Sequence, residues 1–173
     1  MKIWTVGHST RTGEEFEKIL VAHGVEVLVD VRTFPGSRRY PQFNKPVLSE
    51  SLEHAGINYV HEPRLGGRRT PRKDSHNTAW RNASFRGYAD YMETDEFNAG
   101  IKALLELSRN SRTAVMCAEA VWWKCHRSMI ADYLKASGHT VIHIIDEKKT
   151  EEHPFTSAAQ IVNGELSYRG LLS

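Results

Sequence analysis

The sequence predicts an α/β protein: a single domain with a mostly parallel central sheet of about five strands and helices on both faces. Three observations lead to this prediction. Short aliphatic segments alternate along the chain with segments whose apolar residues recur at helical spacing, an order typical of βα units. Five of the seven residues 25–31 are aliphatic, which favours a central parallel strand. A chain of 173 residues also suits one domain with one core.

Helix-end residues delimit the elements in the first part of the chain. Thr12 and Glu15 form a capping-box pattern at the start of one helix, and Gly24 and Gly56 follow the last residues of two helices. The predicted elements are, in order, a strand over residues 2–6, a helix over residues 12–23, a strand over residues 25–31, a helix over residues 46–55 and a strand over residues 57–61.

Residues 63–84 interrupt this order because they have no sustained periodicity, and they are predicted to form a long basic loop. Long loops in compact domains are usually functional or disordered. Thr94 is the expected N-cap of one of the helices that follow. The C-terminal tail, residues 150–173, is expected to pack on the domain. The elements between loop and tail are a short helix over residues 88–92, a helix over residues 95–108, a strand over residues 112–116, a helix over residues 128–137 and a strand over residues 140–145.

The formal net charge of +2 is unevenly distributed along the chain. Residues 32–86 carry eleven Lys and Arg side chains against four Asp and Glu, so this segment is +7 and the remainder is −5. A local positive field of this size favours an anionic small molecule or a nucleic acid as the partner. The alternative is that these arginines only keep a loop surface soluble.

Nothing in the sequence indicates a membrane or secreted protein. No apolar run approaches the roughly 18 residues of a membrane span, and the N-terminus opens into a strand rather than a cleavable signal. The two cysteines are eight positions apart and next to a histidine, which is typical of reduced thiols in a cell interior. We therefore expect a soluble, cytoplasmic protein with no membrane partner.

Polar or ionisable side chains follow every predicted strand. Because the carboxyl ends of parallel strands lie at one edge of the sheet, we expect these groups to form a site there. The segments are Gly7-His8-Ser9 after the first strand, Asp30 to Arg32 at the second, His61-Glu62 at the third, Cys117 to Glu119 at the fourth and Asp146 after the fifth.

The densest of these segments, Cys117 to Arg127, is a strand-to-helix junction that contains both cysteines of the chain. Cys125 lies at or just before the helix start, where the helix dipole and basic neighbours favour a thiolate. Glu119 or His126 could transfer protons, and Arg127 could hold a phosphate or a carboxylate at the helix N-terminus.

Three alternatives stay open for the cysteines. They could be packing residues beside Trp122 and Trp123. They could be metal ligands, with Cys117, Cys125 and His126 as the candidates, although the spacing is not that of a zinc finger. The two cysteines could also pair in a redox sensor if their sulfurs approach bonding distance.

Other residues are candidates for substrate binding. Asp30 and Arg32 lie on one face of their strand, so they either pair with each other or leave Arg32 free for a substrate oxyanion. In the long loop, a glycine pair among arginines could wrap a phosphate, and two aromatic residues either stack on a base or pin the loop to the domain. These loop residues are Gly66 and Gly67 with Arg64, Arg68 and Arg69, and Trp80 with Phe85.

Five separated motifs occur in order along the chain: Thr5-Val-Gly-His-Ser9, Asp30-Val-Arg32-x-x-Pro35-x-Ser37, Leu65-Gly-Gly67, Phe85-x-x-Tyr88-x-x-Tyr91-Met92 and Cys117-x-Glu119-x5-Cys125-His126-Arg127. In this combination the chain resembles the family known as domain of unknown function 488. The resemblance extends to His153 and so covers nearly the whole chain. It implies an α/β fold but no established activity, and it points to the same groups that follow the strands.

The leading hypothesis is a small cytosolic enzyme, a hydrolase or transferase, with a cysteine thiolate or a metal centre at the carboxyl edge of the sheet. Its substrate would be anionic or phosphate-bearing, such as a nucleotide or nucleic acid. The alternatives are a nucleic-acid-binding module that uses residues 32–86, and a thiol redox or metal sensor. The sequence specifies no cofactor and no oligomeric state. The candidate catalytic residues are His8, Asp30, Cys117, Glu119, Cys125 and His126, and the candidate substrate-binding residues are Ser9, Arg32, Ser37, Arg64, Gly66, Gly67 and Arg127.

Overall fold

The central sheet of the computed structural model has six strands: β1 (Lys2–Gly7), β2 (Val27–Asp30), β3 (Asn58–His61), β4 (Thr113–Cys117), β5 (Thr140–Ile144) and β6 (Thr150–Glu152). Their order across the sheet is β3-β2-β4-β1-β5-β6. The five predicted strands are parallel, and β6 pairs antiparallel with β5 at one edge. The predicted α/β class is therefore confirmed. The structure describes residues 1–170, so the last three residues of the predicted tail lie outside it.

Five helices accompany the sheet: α1 (Gly13–Ala22), α2 (Lys45–His54), α3 (Ala83–Tyr91), α4 (Asp95–Ser108) and α5 (Arg127–Ala136). The predicted caps of two of them are present. The Thr12 hydroxyl accepts a hydrogen bond from the Glu15 N–H, and the Glu15 carboxylate accepts one from the Thr12 N–H. Thr94 caps α4 through the Phe97 N–H. None of the helices within residues 1–170 is long and apolar enough to cross a membrane.

Alternate residues of the strands face two separate apolar cores. Leu28 and Met116 pack with α1 and α2 on one side of the sheet, whereas Val29 and Val115 pack with α3, α4 and α5 on the other. Side chains of successive strand residues point to opposite faces, so each strand contributes to both cores. This arrangement explains why the central strands β2 and β4 are apolar along most of their length.

The central strand β4 lies where the connections of the sheet change sides. The chain leaves β1 and β2 toward the face covered by α1 and α2, but it leaves β4 toward the face covered by α5. Loops that diverge in this way open a crevice at the carboxyl ends of the strands between them. The crevice therefore lies at the end of β4, between its neighbours β1 and β2.

The long loop is shorter than predicted. The helix after it begins at Ala83 rather than Tyr88, because the Asn82 side chain accepts two backbone hydrogen bonds at the helix start. A single helical turn, Pro63–Leu65, also lies within the predicted loop. Asp90 of α3 accepts hydrogen bonds from three loop groups and so holds the loop against the domain.

The C-terminal tail contains elements that were not predicted. Besides β6, it forms a hairpin of β7 (Gln160–Val162) and β8 (Glu165–Ser167). The two turn residues, Asn163 and Gly164, both have positive φ, which is the backbone that a tight hairpin turn requires. The Asn-Gly pair was therefore a hairpin signal in the sequence, but the strands are only three residues long and too short to show alternation.

A chain of hydrogen bonds between buried side chains connects β1, β5 and α5. The Thr5 hydroxyl is hydrogen-bonded to His143 Nδ1, and His143 Nε2 is hydrogen-bonded to His153 Nδ1 at 2.8 Å. His153 Nε2–H donates to the Asp132 carboxylate at 2.8 Å. The same carboxylate also accepts a hydrogen bond from the Tyr168 hydroxyl. Because the carboxylate only accepts, His153 Nε2 is the donor of this bond.

We predict that this buried histidine network makes the fold sensitive to acid. His143 is 1% exposed, and burial lowers its pKa to about 2. In an unfolded chain the pKa of a histidine is about 6.5, so below this pH the unfolded state binds a proton that the folded state excludes. The free energy of unfolding therefore falls as the pH falls, by about 1.5 kcal/mol from His143 alone between pH 6.5 and pH 5 in urea titrations.

In the His143→Gln variant the titrating group is absent, so its free energy of unfolding should lose about 1.5 kcal/mol less over the same interval. The matched control is His54→Gln at an exposed position in the last turn of α2. This control should keep the pH dependence of the wild type. Equal pH dependence of the wild type and His143→Gln would contradict the prediction.

Candidate functional site

A cleft of about 650 Å³ opens at the carboxyl edge of the sheet, at the end of β4. This volume lies in the range of small-molecule sites. Residues that follow β1, β2 and β4 form its walls, together with the long loop and the start of α3. The lining includes His8, Ser9 and Thr10 after β1, Arg32, Thr33, Phe34, Ser37 and Tyr40 after β2, Cys117, Glu119, Lys124, Cys125 and His126 after β4, and Gly67, Arg68, Phe85 and Tyr88.

Cys125 lies in the cleft just before α5, next to the N-cap residue His126. Its sulfur accepts a hydrogen bond from the backbone N–H of Arg127 at 3.5 Å. Burial opposes ionisation of the thiol, but hydrogen bonds from Cys117 and from the Arg127 N–H, with the Arg127 charge, together lower the pKa of Cys125. The N–H at the start of α5 is thus one of the groups that lower the pKa of this thiol.

His126 presents an unprotonated nitrogen to this thiol. Its Nε2–H donates to the Val31 carbonyl at 3.1 Å, so Nδ1 is left as an acceptor, and Nδ1 lies 3.4 Å from the Cys125 sulfur. Burial lowers the pKa of His126, which keeps the ring neutral at neutral pH. Gly67 packs directly on the ring, and a Cβ at this position would lie 2.8 Å from Nδ1. Only glycine leaves the imidazole in this position.

The second cysteine, Cys117, lies behind the first. It is 1% exposed, and burial together with the neighbouring Cys125 raises the pKa of its thiol. The Cys117 thiol donates to the Glu119 carbonyl oxygen at 3.6 Å. Both residues are free cysteines. Their roles therefore differ: Cys117 stays protonated as a donor, and Cys125 is the sulfur that ionises.

The structure places Arg127 behind the loop of residues 118–121 rather than in the cleft. Its Nη2 donates to the carbonyls of Glu119 and Ala120 at 3.3 Å each. Within residues 1–170, its Nε and Nη1 have no hydrogen-bond partner, although the residue is only 1% exposed. Helical side chains point toward the N-terminus of their helix, which directs Arg127 under the preceding loop. Arg127 therefore influences the site through its charge and not as a substrate clamp.

Arg32 and His8 form part of one wall of the cleft, and Asp30 holds Arg32 in place from beneath. Two guanidinium N–H groups of Arg32 donate to Asp30 at 2.8 and 2.9 Å, and a third interaction reaches the Phe43 carbonyl at 2.7 Å. Arg32 Nη1 lies 3.4 Å from His8 Nε2, while His8 Nδ1–H donates to the Ser9 carbonyl. Burial lowers the pKa of His8 to about 4. Asp30 is fully buried beneath this wall and does not reach the cleft.

Of the remaining candidates, Arg64 and Gly66 do not line the cleft. The Arg64 side chain is half exposed and pairs with Glu62 at 2.8 Å. Asp146, the group expected after β5, lies with Arg11 in a separate surface depression. Three candidates not yet described do line the cleft: Glu119, Ser9 and Ser37.

A metal centre has no complete set of ligands in the described part of the chain. Within residues 1–170, no group of three or more His, Cys, Asp and Glu side chains is arranged to hold a metal ion. The candidate ligands Cys117, Cys125 and His126 are instead connected to each other and to backbone carbonyls. The geometry of the site is that of a thiol–imidazole pair.

Several cleft residues escaped prediction. Phe34 and Tyr40 follow β2 in a segment without periodicity, so no pattern singled them out. Lys124 counted only as a basic neighbour of Cys125, whereas Arg68 belonged to the group around Gly66 and Gly67 that could wrap a phosphate. Backbone geometry adds a signal that the sequence lacks, because Ser9 and Arg68 both line the cleft with left-handed φ values of 54° and 60°. Such non-glycine residues cluster at functional sites.

The two aromatic residues for which stacking on a base or pinning of the loop stayed open have different positions. Trp80 packs against Phe85 and Tyr168 with ring centroids 5.1 and 5.6 Å apart, so it pins the loop to the domain. Phe85 also reaches the cleft, but Trp80 does not.

Comparison with known proteins is consistent with the motifs. No curated protein and no solved structure matches the chain. The family model described as "Domain of unknown function DUF488" matches residues 12–134, which is most of the chain. The match includes the segment after β2, the Gly66-Gly67 pair and the whole junction from Cys117 to Arg127. The chain therefore belongs to the DUF488 family.

Proposed function

We propose that this chain is a small enzyme that uses the Cys125 thiolate as a nucleophile on an anionic, phosphate-bearing substrate such as a nucleotide or nucleic acid. One observation carries the proposal. The Cys125 sulfur lies in the cleft, accepts the Arg127 N–H at the start of α5, and has the free Nδ1 of His126 at 3.4 Å. A thiol beside a helix N-terminus, a cation and an imidazole is the arrangement typical of nucleophilic cysteines.

The charge of Arg127 supports the thiolate. Its guanidinium is buried, and its N–H groups reach two backbone carbonyls but no carboxylate within the described residues. A buried cation without a counter-ion is costly, and an anionic sulfur nearby offsets part of this cost. The Cys125 thiolate is therefore the complement that the buried charge favours.

His126 is the residue that handles protons in this proposal. The Cys125 thiol passes its proton to Nδ1 of this neutral ring, and the thiolate that results attacks an electrophilic atom of the substrate. As the new bond to sulfur forms, the bond to the leaving group breaks, and the leaving group departs with the electron pair and takes the proton from Nδ1. Glu119 is exposed at the rim of the cleft, where it could activate the water that releases the product.

The cations that are free to hold the substrate differ from those expected at first. Arg32 and Arg64 are occupied by Asp30 and Glu62. Lys124 and Arg68 are exposed, line the cleft and belong to no ion pair within residues 1–170. They are the groups best placed to contact a phosphate.

The same ion pairs weaken the alternative of a nucleic-acid-binding module. Three arginines of the basic segment 32–86, Arg32, Arg64 and Arg72, lie against carboxylates. The field available to a polyanion is therefore smaller than the sequence charge suggests.

A redox role is the second candidate function, and it is favoured because the two free cysteines are close enough for each to shift the pKa of the other. In this case Cys125 attacks a peroxide to give a sulfenic acid and water. The Cys117 sulfur then attacks the sulfenic sulfur, whose hydroxyl group leaves as a second molecule of water, and a disulfide forms. In total two thiols are oxidised and one hydrogen peroxide is reduced.

We predict that Cys125 reacts with iodoacetamide at a pH below the range of an ordinary cysteine, whose pKa is about 8.5. The reason is the lowered pKa of Cys125. Alkylation rates from pH 5.5 to pH 9, resolved by peptide mapping, should show a low-pH reaction at Cys125 that Cys125→Ser removes and Cys117→Ser retains. If Cys125 in the folded protein reacted only above pH 8.5, this result would contradict the proposal. Rapid loss of both thiols with peroxide, reversed by a dithiol, would instead favour the redox candidate.

We also predict that Gly67→Ala lowers this reactivity. The added methyl group would lie 2.8 Å from His126 Nδ1 and would push the imidazole away from the sulfur. We expect the alkylation rate at pH 6.5 to fall roughly a hundredfold, the low end of the effect of losing a positioned proton acceptor.

Gly13→Ala is the matched control for this substitution, because the nearest atom to a Cβ at Gly13 is 3.9 Å away. This control should react like the wild type. An unchanged rate in a folded Gly67→Ala protein would show that the imidazole contributes nothing to the thiol.

A further inference from the structure

One side of the cleft carries an exposed aromatic ring. Phe34, which follows β2, is 68% exposed although it lines the cleft. Tyr40 and Phe85 add two further aromatic side chains to the lining. A phenyl ring left open to solvent inside a cleft has apolar area that a ligand with a flat apolar face can cover.

Arg68 lies against this ring with a strained backbone. Its guanidinium carbon is 5.5 Å from the centre of the Phe34 ring, within the range of a cation–π contact. Its φ of 60° is left-handed, a backbone that is uncommon for non-glycine residues and that clusters at functional sites. The loop therefore keeps a cation and an aromatic ring side by side at the cleft.

Two neighbouring contacts link Arg68 and Phe34 to the Cys125 sulfur. The residue before Arg68 is Gly67, which packs on the His126 ring, and that ring lies 3.4 Å from the Cys125 sulfur. Lys124, the residue before Cys125, also lines the cleft. A ligand with its anionic group near Cys125 thus has cations on two sides, and Phe34 is within the same cleft.

We propose that the cleft binds a nucleoside phosphate, with the base stacked on Phe34 and the phosphate held by Arg68 and Lys124. The inference rests on the proposed function and names its substrate class. Three features support it together: a flat aromatic surface, adjacent cations and a cleft of about 650 Å³. A sugar phosphate would leave Phe34 exposed, and an uncharged aromatic molecule would leave both cations without a partner.

Isothermal titration of the full chain tests this proposal. The probes are AMP, GMP, CMP and UMP, with ribose 5-phosphate as the ligand that lacks a base. We expect at least one nucleotide to bind roughly fivefold to a hundredfold more tightly than ribose 5-phosphate, the range of one base–aromatic stack. Phe34→Ala should remove this difference, and Phe34→Trp should keep it.

Val162→Ala, exposed on the β7–β8 hairpin, is the control variant and should bind nucleotides like the wild type. Single-stranded oligonucleotides could bind more tightly than the mononucleotides and lose this affinity in Phe34→Ala. This result would also support the base site, and it would identify a nucleic acid rather than a free nucleotide as the ligand. Equal affinity for ribose 5-phosphate and all four nucleotides, or no effect of Phe34→Ala, would overturn the proposal.

The alkylation rate of Cys125, measured on the same preparations, separates this inference from the proposed function. A reactive Cys125 in a protein without preference for nucleotides overturns the base site alone. A base-dependent affinity in a protein whose Cys125 reacts as an ordinary thiol supports the base site and overturns only the nucleophilic role of the cysteine.

Discussion

The site depends most on the buried guanidinium of Arg127, through its hydrogen bonds and its positive charge. One of its nitrogens donates to the carbonyls of Glu119 and Ala120, and this fixes the loop between β4 and α5. No carboxylate neutralises it in the described part of the chain. Burying an ion costs several kcal/mol unless charge of opposite sign is near. The same residue therefore shapes the loop and favours a negative sulfur at Cys125.

Two hydrogen-bonded networks hold this junction from either side. On the cleft side, Asp30 fixes Arg32, which in turn reaches His8. On the other side, Asp132 of α5 is connected through two histidines to β1 and β5. Trp122, in the loop itself, stacks on His143 with a centroid distance of 4.7 Å. The loop thus lies between fixed walls, which favours a preorganised site over one that forms only on binding.

The tight approach of the loop to β1 also depends on a missing side chain. A Cβ on Gly7 would lie 1.7 Å from the Glu119 carbonyl oxygen, so no other residue fits there without moving the loop. Ser9 continues the contact through its N–H, which donates to the Ala118 carbonyl. The Gly-His-Ser segment after β1 is therefore a backbone requirement of the junction as well as a contributor to the cleft.

The sequence predicted the sheet and the junction because both have local signals. Aliphatic runs marked the strands, and Thr12 and Thr94 marked helix starts that the structure confirms. The orientation of Arg127 has no local signal, because it follows from how α5 packs against the loop. Phe34 and Arg68 come together from two irregular segments 34 positions apart, so only the folded chain brings them to one cleft.

The ionisation of Cys125 was predicted for a partly different reason from the one the structure supplies. The helix N-terminus and basic neighbours were visible in the sequence, but Lys124 is exposed and the His126 ring is neutral. The cation that matters is the buried one, and the donor from Cys117 could not be inferred from eight positions of separation. Tertiary packing decided which of the nearby charges acts on the sulfur.

The most direct measurement of this claim is a pH titration of the thiolate ultraviolet absorbance in the wild type, Arg127→Met and Arg127→Lys, with folding checked by circular dichroism. If the buried charge stabilises the thiolate, one sulfur ionises at low pH in the wild type and in Arg127→Lys. In Arg127→Met the same ionisation moves to higher pH. Ionisation of Cys125 at the same pH in all three folded proteins would contradict the central role of Arg127.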